Sequence, residues 1–200
     1  SGVGGPSQGV LAAAHLAEVD RVFQIGGAQA IGAFAYGTES VPKVDFICGP
    51  GNIFVTIAKR MVYGEVGIDG LYGPTETVVI ADSTAPANLC AADVLAQAEH
   101  DTMASPIFIT TSDKLVSKVE REIEKQLLKL PRKEIARESI NERGYAIVVE
   151  SLSQAAELAN DFAPEHLCLL VDDPWKLLDQ VRHAGGVFLG SLSPEVMGDY

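Results

Sequence analysis

The sequence predicts an α/β protein with mostly parallel sheets. Short apolar runs rich in Val, Ile and Phe alternate along the chain with longer amphipathic stretches, and Gly or Pro stands at most junctions. This alternation is typical of strands joined by helices, which build parallel sheets. The 200 residues, 47% of them hydrophobic, suffice for one large or two small globular domains.

In the first part of the chain, the pattern predicts helices over 9–19, 29–36 and 52–63 and strands over 21–25 and 43–48. Asn52 is placed to cap the third helix, because its side-chain oxygen can accept from the first free backbone amides. The Gly-rich stretch 64–76 is interpreted as the crossing between two lobes. We therefore expect one lobe over residues 1–76 and a second over 77–200.

In the second part, the same alternation continues without interruption. It predicts strands over 77–81, 107–111, 145–149, 167–171 and 186–189. It predicts helices over 86–100, 114–130, 133–141, 152–162 and 175–183.

Composition narrows the classes of function. Fifteen basic against 27 acidic side chains give a net charge of −12, which repels nucleic acid and anionic membranes. No apolar run is long enough to span a bilayer. Cys48, Cys90 and Cys168 are odd in number and lie in apolar segments, so we expect buried free thiols in a chain without a signal peptide. The expected location is the cytoplasm.

Two amide side chains stand at predicted helix starts. Gln29 follows Gly26-Gly27-Ala28, and Asn52 follows Gly49-Pro50-Gly51, each after a predicted strand. Backbone amides and the helix dipole at such a turn favour an anionic or polar ligand, and ligands of open α/β sheets usually bind at the carboxyl edge. The glycines do not form the G-x-G-x-x-G fingerprint, so tight turns and a helix cap explain them equally well.

Gln97 and His100 are three residues apart on one predicted helix, so both can reach a single metal ion. Gln is an unusual zinc ligand, and a polar helix end with His100 near the C-terminal dipole is the alternative.

Glu165 and His166 follow Pro164 at the start of a predicted strand. A carboxylate and an imidazole can divide water activation and proton transfer near neutral pH. Asp199 is a hard oxygen ligand near the end of the chain. We expect these side chains, with Gln97 and His100, to converge on one cleft.

Together these motifs resemble the histidinol dehydrogenase family over essentially the whole chain. The shared segments, in order, are Gly26-Gly27-Ala28-Gln29, Gly49-Pro50-Gly51-Asn52, Gln97-Ala98-Glu99-His100, Phe162-Ala163-Pro164-Glu165-His166 and Gly198-Asp199-Tyr200. The resemblance implies two Rossmann-like lobes of aldehyde-dehydrogenase-like architecture in a homodimer. It also implies oxidation of L-histidinol to L-histidine through the aldehyde, with two NAD⁺ and a bound zinc, as the last steps of histidine biosynthesis.

The resemblance further implies a role for each matched residue. Gln29 and Asn52 correspond to the amides that contact NAD, so that residues 1–76 form the NAD-binding lobe. Gln97, His100 and Asp199 correspond to three of four zinc ligands and contact the substrate. Glu165 and His166 correspond to the catalytic pair, and His166 also contacts the substrate. Thr75 corresponds to a substrate-contacting position.

The sequence departs from the family pattern in one loop and at both ends. Gly70-Leu71-Tyr72 replaces a usual Met-Pro-Ala, and Thr75 replaces a usual Ser but keeps the hydroxyl. The N-terminal and C-terminal portions of the family are absent, among them a substrate-binding Glu and the fourth zinc ligand. We therefore expect this chain to be the central part of the enzyme, with weak zinc binding and little turnover by itself.

Two other interpretations stay open. One is a shortened homologue that has lost catalysis and serves as a ligand-binding or interaction module. The other is a different NAD-dependent aldehyde-oxidising enzyme, for which no cysteine stands out as the catalytic thiol.

Overall fold

In the computed structural model the chain divides into two compact units, Ser1–Gly73 and Pro74–Tyr200. The structure describes residues 7–71 and 76–199. The first unit contains α1 (Gln8–Leu16), α2 (Gly27–Tyr36), β1 (Phe46–Ile47), α3 (Ile53–Val62) and β2 (Gly67–Ile68). The second contains β3 (Glu76–Ala81), α4 (Ala87–Ala98), β4 (Ser105–Thr110), α5 (Asp113–Leu127), α6 (Lys133–Arg143), β5 (Tyr145–Val148), α7 (Leu152–Phe162), β6 (His166–Leu170), α8 (Pro174–Leu178), β7 (Gly186–Leu189) and a 3₁₀ helix (Glu195–Asp199). Among the described helices, none combines the length and apolar character needed to cross a membrane.

The first unit is built around α2 and α3, which pack against each other beside a short parallel pair of β1 and β2. Its core joins the buried side chains of Ile31, Ala35, Ile47, Val62 and Val66. As predicted, Asn52 caps α3: its Oδ1 accepts from the backbone N–H of Phe54 at 3.1 Å and of Val55 at 3.2 Å. This cap satisfies two of the amides that a helix start leaves without partners.

Three predictions for the first unit are wrong. Residues 21–25 do not form a buried strand: they have no regular structure, and Val22 and Ile25 are 50% and 46% exposed. The strand predicted over 43–48 is reduced to Phe46–Ile47. Both runs are apolar, but a strand also needs neighbouring backbone to pair with, and in the described part of this unit only β2 supplies it. Cys48, just after β1, is exposed rather than buried.

The second unit is a doubly wound sheet, which confirms the predicted fold class. Its five strands lie in the order β5-β4-β3-β6-β7, and every pair is parallel. The order reverses between β3 and β6, as it does in Rossmann-like sheets.

Helices cover both faces of this sheet, so its central strands are buried on both sides. On one face, Val78, Ile80 and Leu169 pack with three alanines of α7. On the other, Val79 and Phe108 pack with side chains of α4 and α5. Such strands read as continuous apolar runs, which is why the sequence located them well.

Two differences lie near the end of the chain. The helix predicted over 175–183 stops at Leu178. Beyond that point the Asn160 side chain binds the backbone: its Oδ1 accepts from the N–H of Arg182 at 2.7 Å, and its Nδ2 donates to the carbonyl of Gln180 at 2.8 Å. These bonds hold the following segment in a non-helical path. The 3₁₀ helix Glu195–Asp199 was not predicted.

One carboxyl group is buried in the core of the second unit. Asp93, on α4, is only 6% exposed. Burial raises the pKa of Asp93 to about 6, although a hydrogen bond from the Cys168 thiol lowers it in part. Burial also raises the pKa of Cys168, and the charge of Asp93 adds to that effect. The protonated carboxyl and the thiol are therefore the forms that the core favours.

We expect the stability of the chain to fall as the pH rises from about 4 to about 6. The folded state holds the Asp93 proton to a higher pH than the unfolded state, so it binds more protons in this window and loses up to about 3 kcal/mol across it. Asp93→Asn should flatten this dependence, whereas Asp161→Asn, at an exposed position, should keep it. Urea unfolding under reducing conditions at several pH values measures both, and a slope unchanged by Asp93→Asn would refute the assignment.

Candidate active site

Four of the predicted site residues line one cavity of about 120 Å³ in the second unit. They come from the end of α4 and the start of β6, nearly 70 residues apart in the chain. The lining consists of Ala96, Gln97, His100, Glu165, His166, Glu195 and Val196. The expected convergence of these four residues on one cleft therefore holds in the structure.

Gln97 and His100 stand at the C-terminal end of α4. Gln97 lies in the last turn and is 1% exposed, whereas His100 is exposed just beyond the helix. The backbone N–H of His100 donates to the carbonyl of Gln97 at 3.1 Å, and the carbonyl of His100 accepts from Arg132 at 3.2 Å. This turn brings both side chains to the cavity.

Glu165 and His166 stand at the amino end of β6, where neighbouring backbone holds them. His166 lies opposite Thr77 of β3 on one side and Gly186 of β7 on the other. Gly186 donates its N–H to the carbonyl of Glu165 at 2.8 Å, and Gly185 donates to the carbonyl of Pro164 at 3.0 Å. His166 is thus the first residue of a paired strand, and Glu165, just before it, is bonded to β7 through its backbone carbonyl.

Two further residues of the site were not found from the sequence. Glu195, from the 3₁₀ helix, has a side chain only 5% exposed, and its Oε2 lies 3.8 Å from Nδ1 of His166. Thr77 is fully buried. Its hydroxyl lies 2.7 Å from Oε2 of Glu195 and 3.0 Å from the side-chain carboxamide of Gln97. A Thr in a strand pattern and a Glu after Ser-Pro gave no signal before the fold was known.

The hydrogen bonds around Thr77 fix the orientation of Gln97. The hydroxyl has one proton, and the carboxylate of Glu195 can only accept it. Thr77 must then accept from Gln97, which requires the carboxamide nitrogen to face the hydroxyl. As the structure places the amide atoms, Oε1 of Gln97 faces the hydroxyl, and Nε2 is buried without a partner among the described residues. Exchanging the two amide atoms balances the protons and puts the oxygen at the buried end, where a cation or an N–H donor can satisfy it.

A second carboxyl group adds negative charge beside Glu165. Glu76 starts β3, next to β6. Burial raises the pKa of Glu76, and the charge of Glu165 raises it further. Glu76 and Glu165 are therefore close enough to interact, although Glu165 alone of the two lines the cavity.

The candidate site lies at the opposite edge from the one where ligands of open α/β sheets usually bind. Thr77 and His166 stand at the amino ends of β3 and β6, and their register pairs them directly. At the carboxyl edge, the side chain of Asp82 is already engaged by the backbone N–H groups of Thr84 and Asp172, both at 2.9 Å. The catalytic pair is instead combined with the end of α4, which reaches the amino edge.

In the first unit, Gln29 and Asn52 are exposed near the starts of α2 and α3. The loop before Asn52 is held by an ion pair that the sequence analysis did not identify. Lys59, 2% exposed, contacts Asp69 and donates to the carbonyl of Gly49 at 2.9 Å, while Asp69 accepts from the N–H of Gly49 at 2.7 Å. Lys59 and the Gly49 amide lower the pKa of Asp69 to about 2. This pair fixes the loop that presents Asn52.

Two predicted residues lie partly or wholly outside the described part of the chain. Thr75 falls between the two described ranges. The backbone of Asp199 belongs to the 3₁₀ helix, but its side chain is outside the description. Among the residues that the structure describes, no three His, Cys, Asp or Glu side chains are grouped as metal ligands. Gln97 and His100 are the two predicted ligands that the structure brings to one cavity.

This arrangement has the groups needed for acid–base chemistry on a small polar substrate. It combines an imidazole with one nitrogen buried, carboxylates beside it, and a carboxamide with an unpartnered end. An imidazole can act as a general base, and a carboxylate beside it can assist.

Comparison with known proteins identifies the family. The family model described as histidinol dehydrogenase matches residues 2–200. The chain belongs to the histidinol dehydrogenase family. A histidinol dehydrogenase of Bacillus cereus is 57% identical over 197 residues, which are 98% of this chain and 46% of that protein. The chain thus spans about half the length of the curated relatives it matches. The resemblance stated from the motifs is confirmed.

Solved structures give the same result for the fold. A histidinol dehydrogenase from Elizabethkingia anophelis matches with a TM-score of 0.88 and 41% identity, over 96% of this chain and 44% of that one. A propionaldehyde dehydrogenase from Clostridium phytofermentans matches with a TM-score of 0.55 and 12% identity, over 83% of this chain and 50% of that one. The second likeness concerns the fold alone, and it agrees with the aldehyde-dehydrogenase-like architecture that the family resemblance implies.

Proposed function

We propose that this chain supplies the catalytic centre of an NAD-dependent histidinol dehydrogenase, which oxidises L-histidinol to L-histidine through the aldehyde in histidine biosynthesis. The observation that carries the proposal is the cavity shared by Gln97, His100, Glu165 and His166. Membership of the histidinol dehydrogenase family supports the choice of substrate.

In this proposal His166 is the general base. It accepts the hydroxyl proton of the substrate, and later a proton of the hydrated aldehyde, at the nitrogen that faces the cavity. Glu165 helps to activate the water that adds to the aldehyde. Proton transfer by positioned groups of this kind contributes about 100- to 10,000-fold to a rate. Both residues are anchored at the amino end of β6, which favours a constant geometry.

The first unit is proposed to hold NAD, with Gln29 and Asn52 as its contacts. When bound, this cofactor would accept the hydride in each of the two oxidation steps. The cap on α3 uses Oδ1 of Asn52, so its amide N–H groups are the ones that would donate to the cofactor. The ion pair of Lys59 and Asp69 would keep the loop in place for this contact.

Zinc is the second proposed cofactor, with Gln97, His100 and Asp199 as ligands. The buried, unpartnered end of the Gln97 carboxamide suits a cation, and His100 shares its cavity. When bound, zinc would act as a Lewis acid that orients the amine and imidazole of the substrate. Gln97, His100, His166 and Asp199 would then also contact the substrate, together with Thr75.

The remaining partners follow from the family. We propose a homodimer acting in the cytoplasm, without nucleic-acid or membrane partners. Two buried free thiols, Cys90 and Cys168, suit a reducing compartment. The net charge of −12 opposes binding to polyanions.

The experiment that tests this function uses a chimera in which the chain replaces the matching 46% of the Bacillus cereus relative. NADH absorbance and chromatography of the product are followed with L-histidinol, zinc and NAD⁺. Histidine and two NADH per substrate would support the proposal. A folded chimera that binds histidinol or NAD⁺ without turnover would favour the ligand-binding alternative. The 200-residue chain assayed alongside tests the expectation that it has little activity alone.

Zinc binding is tested on the metal-free chimera by isothermal titration with zinc. We expect His100→Ala and Gln97→Ala to weaken zinc binding by about 100-fold or more, because each would remove a direct ligand. Loss of a group that only hydrogen-bonds to a ligand already costs about 10- to 100-fold. Glu99→Ala lies on the same turn but outside the cavity lining, and it should bind zinc as the parent does. Equal affinity in all three variants would remove Gln97 and His100 from the metal site.

A further inference from the structure

The two ring nitrogens of His166 have different surroundings. Nδ1 is buried and has no hydrogen-bond partner within the described structure. Its nearest charged neighbour is Oε2 of Glu195, 3.8 Å away. The His166 side chain is 23% exposed and lines the cavity. Because Nδ1 is buried, Nε2 is the ring nitrogen left to face the cavity.

Glu195 is held in place through Oε2, the same oxygen that faces the imidazole. Its carboxylate accepts the hydroxyl proton of Thr77 at 2.7 Å, and its side chain is 5% exposed. A carboxylate can accept several hydrogen bonds at once. The N–H of an imidazole beside it is a suitable donor.

The plane of the imidazole is also restricted. The ring of Phe188, on β7, meets the ring of His166 edge-on, with centroids 5.7 Å apart at 84°. Gly198, in the same 3₁₀ helix as Glu195, lies close to the Phe188 ring: a Cβ added there would stand 3.0 Å from it. The helix that carries Glu195 therefore packs directly on the ring that orients His166.

We infer that Glu195 is a positioning residue for His166. It holds the neutral imidazole in the tautomer with the proton on Nδ1, so that Nε2 stays unprotonated toward the cavity. The tautomer of a histidine is set by the hydrogen bond that its other nitrogen makes. A distance of 3.8 Å is within ion-pair range but longer than a hydrogen bond, and catalytic hydrogen bonds are often long before substrate binds.

The inference adds a role for Thr77 as well. Its hydroxyl touches both Glu195 and Gln97, so one buried group connects the positioning carboxylate with a proposed zinc ligand. The catalytic meaning of the tautomer rests on the proposed function, because only a base needs a free Nε2. The tautomer itself does not depend on any activity.

The test is nitrogen-15 NMR of the histidine rings in the 200-residue chain, at a pH well above the ordinary imidazole pKa of about 6.5. Neither substrate nor cofactor is present, so failure of histidinol oxidation would not affect the result. The signals of His166 are assigned by their loss in His166→Asn. We expect a protonated Nδ1 and an unprotonated Nε2 in the parent chain.

Two variants separate charge from shape. Glu195→Ala should shift His166 toward the tautomer with the proton on Nε2, and Glu195→Gln, which keeps the shape, should shift it less. His183, whose Nδ1 lies 3.2 Å from the carbonyl of Asn160, is the internal control and should not change. Protonated Nε2 in the parent chain, or an unchanged His166 tautomer in a folded variant, would overturn the inference. If Glu195→Ala does not fold, the parent spectrum and Glu195→Gln still decide.

A kinetic readout on the chimera complements the spectrum. Loss of the group that orients a metal-bound histidine typically costs about 10- to 100-fold in affinity or activity, and we expect a similar factor for His166. Glu195→Gln should therefore lower kcat by about that factor with little change in KM, and Glu195→Asp should restore part of it. A rise in KM at constant kcat would instead indicate a role in binding.

Discussion

Replacing the proposed base with His166→Asn is expected to lower kcat for L-histidinol oxidation in the chimera by about 100- to 10,000-fold. Asn keeps a polar side chain at the start of β6 but cannot accept a proton near neutral pH. Because the imidazole would act mainly in the transition state, KM should change far less than kcat. Steady-state NADH formation with saturating NAD⁺ measures both.

The matched control is His183→Asn. His183 lies outside the cavity lining and contacts the backbone of Asn160, so the activity of this variant should equal that of the parent. A pH profile adds a second criterion. In the parent, the rise of activity with pH reports deprotonation of the base. The residual activity of His166→Asn should not show this rise, because that group is no longer present. A kcat within a few-fold of the parent, with the rise retained, would mean that another group accepts the proton.

The sequence predicted the second unit better than the first, for a physical reason. The helix over Leu152–Phe162 and the strand over Gly186–Leu189 occur with the predicted bounds. Strands such as β3 and β6 are covered on both faces by helices of the same unit, so nearly all their side chains are buried and apolar. Such a run can be identified from the local sequence. The run at 21–25 is equally apolar. Its conformation depends on a pairing partner, which local sequence does not show.

The sequence predicted only those site residues whose side chains are reactive and stand in a recognisable motif. His100, Glu165 and His166 carry groups that suggest catalysis in any fold. Thr77 and Glu195 acquire their importance from contacts across nearly 120 residues of chain, since their hydrogen bond joins the start of β3 to the last helix. Nothing in the local pattern distinguishes this Thr from a strand residue or this Glu from a solvated one.

The glycine beside the catalytic pair leads to the second large effect. A Cβ added at Gly185 would stand 2.7 Å from the carbonyl oxygen of Glu165, and real Cβ atoms essentially never come that close. The obstacle is backbone directly before β6, so it cannot rotate away as a side chain would. The N–H of Gly185 also donates to the carbonyl of Pro164 at 3.0 Å, which limits how far the glycine can retreat.

We therefore expect Gly185→Ala to destabilise the chain by about 1–3 kcal/mol, the usual cost of overpacking. Gly186→Ala is the matched control. Its Cβ would stand 3.5 Å from the Phe188 ring and 4.0 Å from the carbonyl oxygen of Glu165, both ordinary contact distances, and Ala suits a strand better than Gly by up to about 1 kcal/mol. Urea unfolding of the two variants should give opposite signs. Equal stability for both would mean that the backbone between β6 and β7 yields to the added methyl group.

The same pair of variants separates stability from catalysis. Relief of the clash at Gly185 requires the carbonyl of Glu165 to move, and this displaces the two side chains that follow Pro164. At a temperature where both chimera variants are folded, Gly185→Ala should lose kcat while Gly186→Ala keeps it, because a misplacement of about 1 Å can cost about 100-fold. A Gly185→Ala variant that is less stable but fully active would show that the catalytic pair tolerates this displacement.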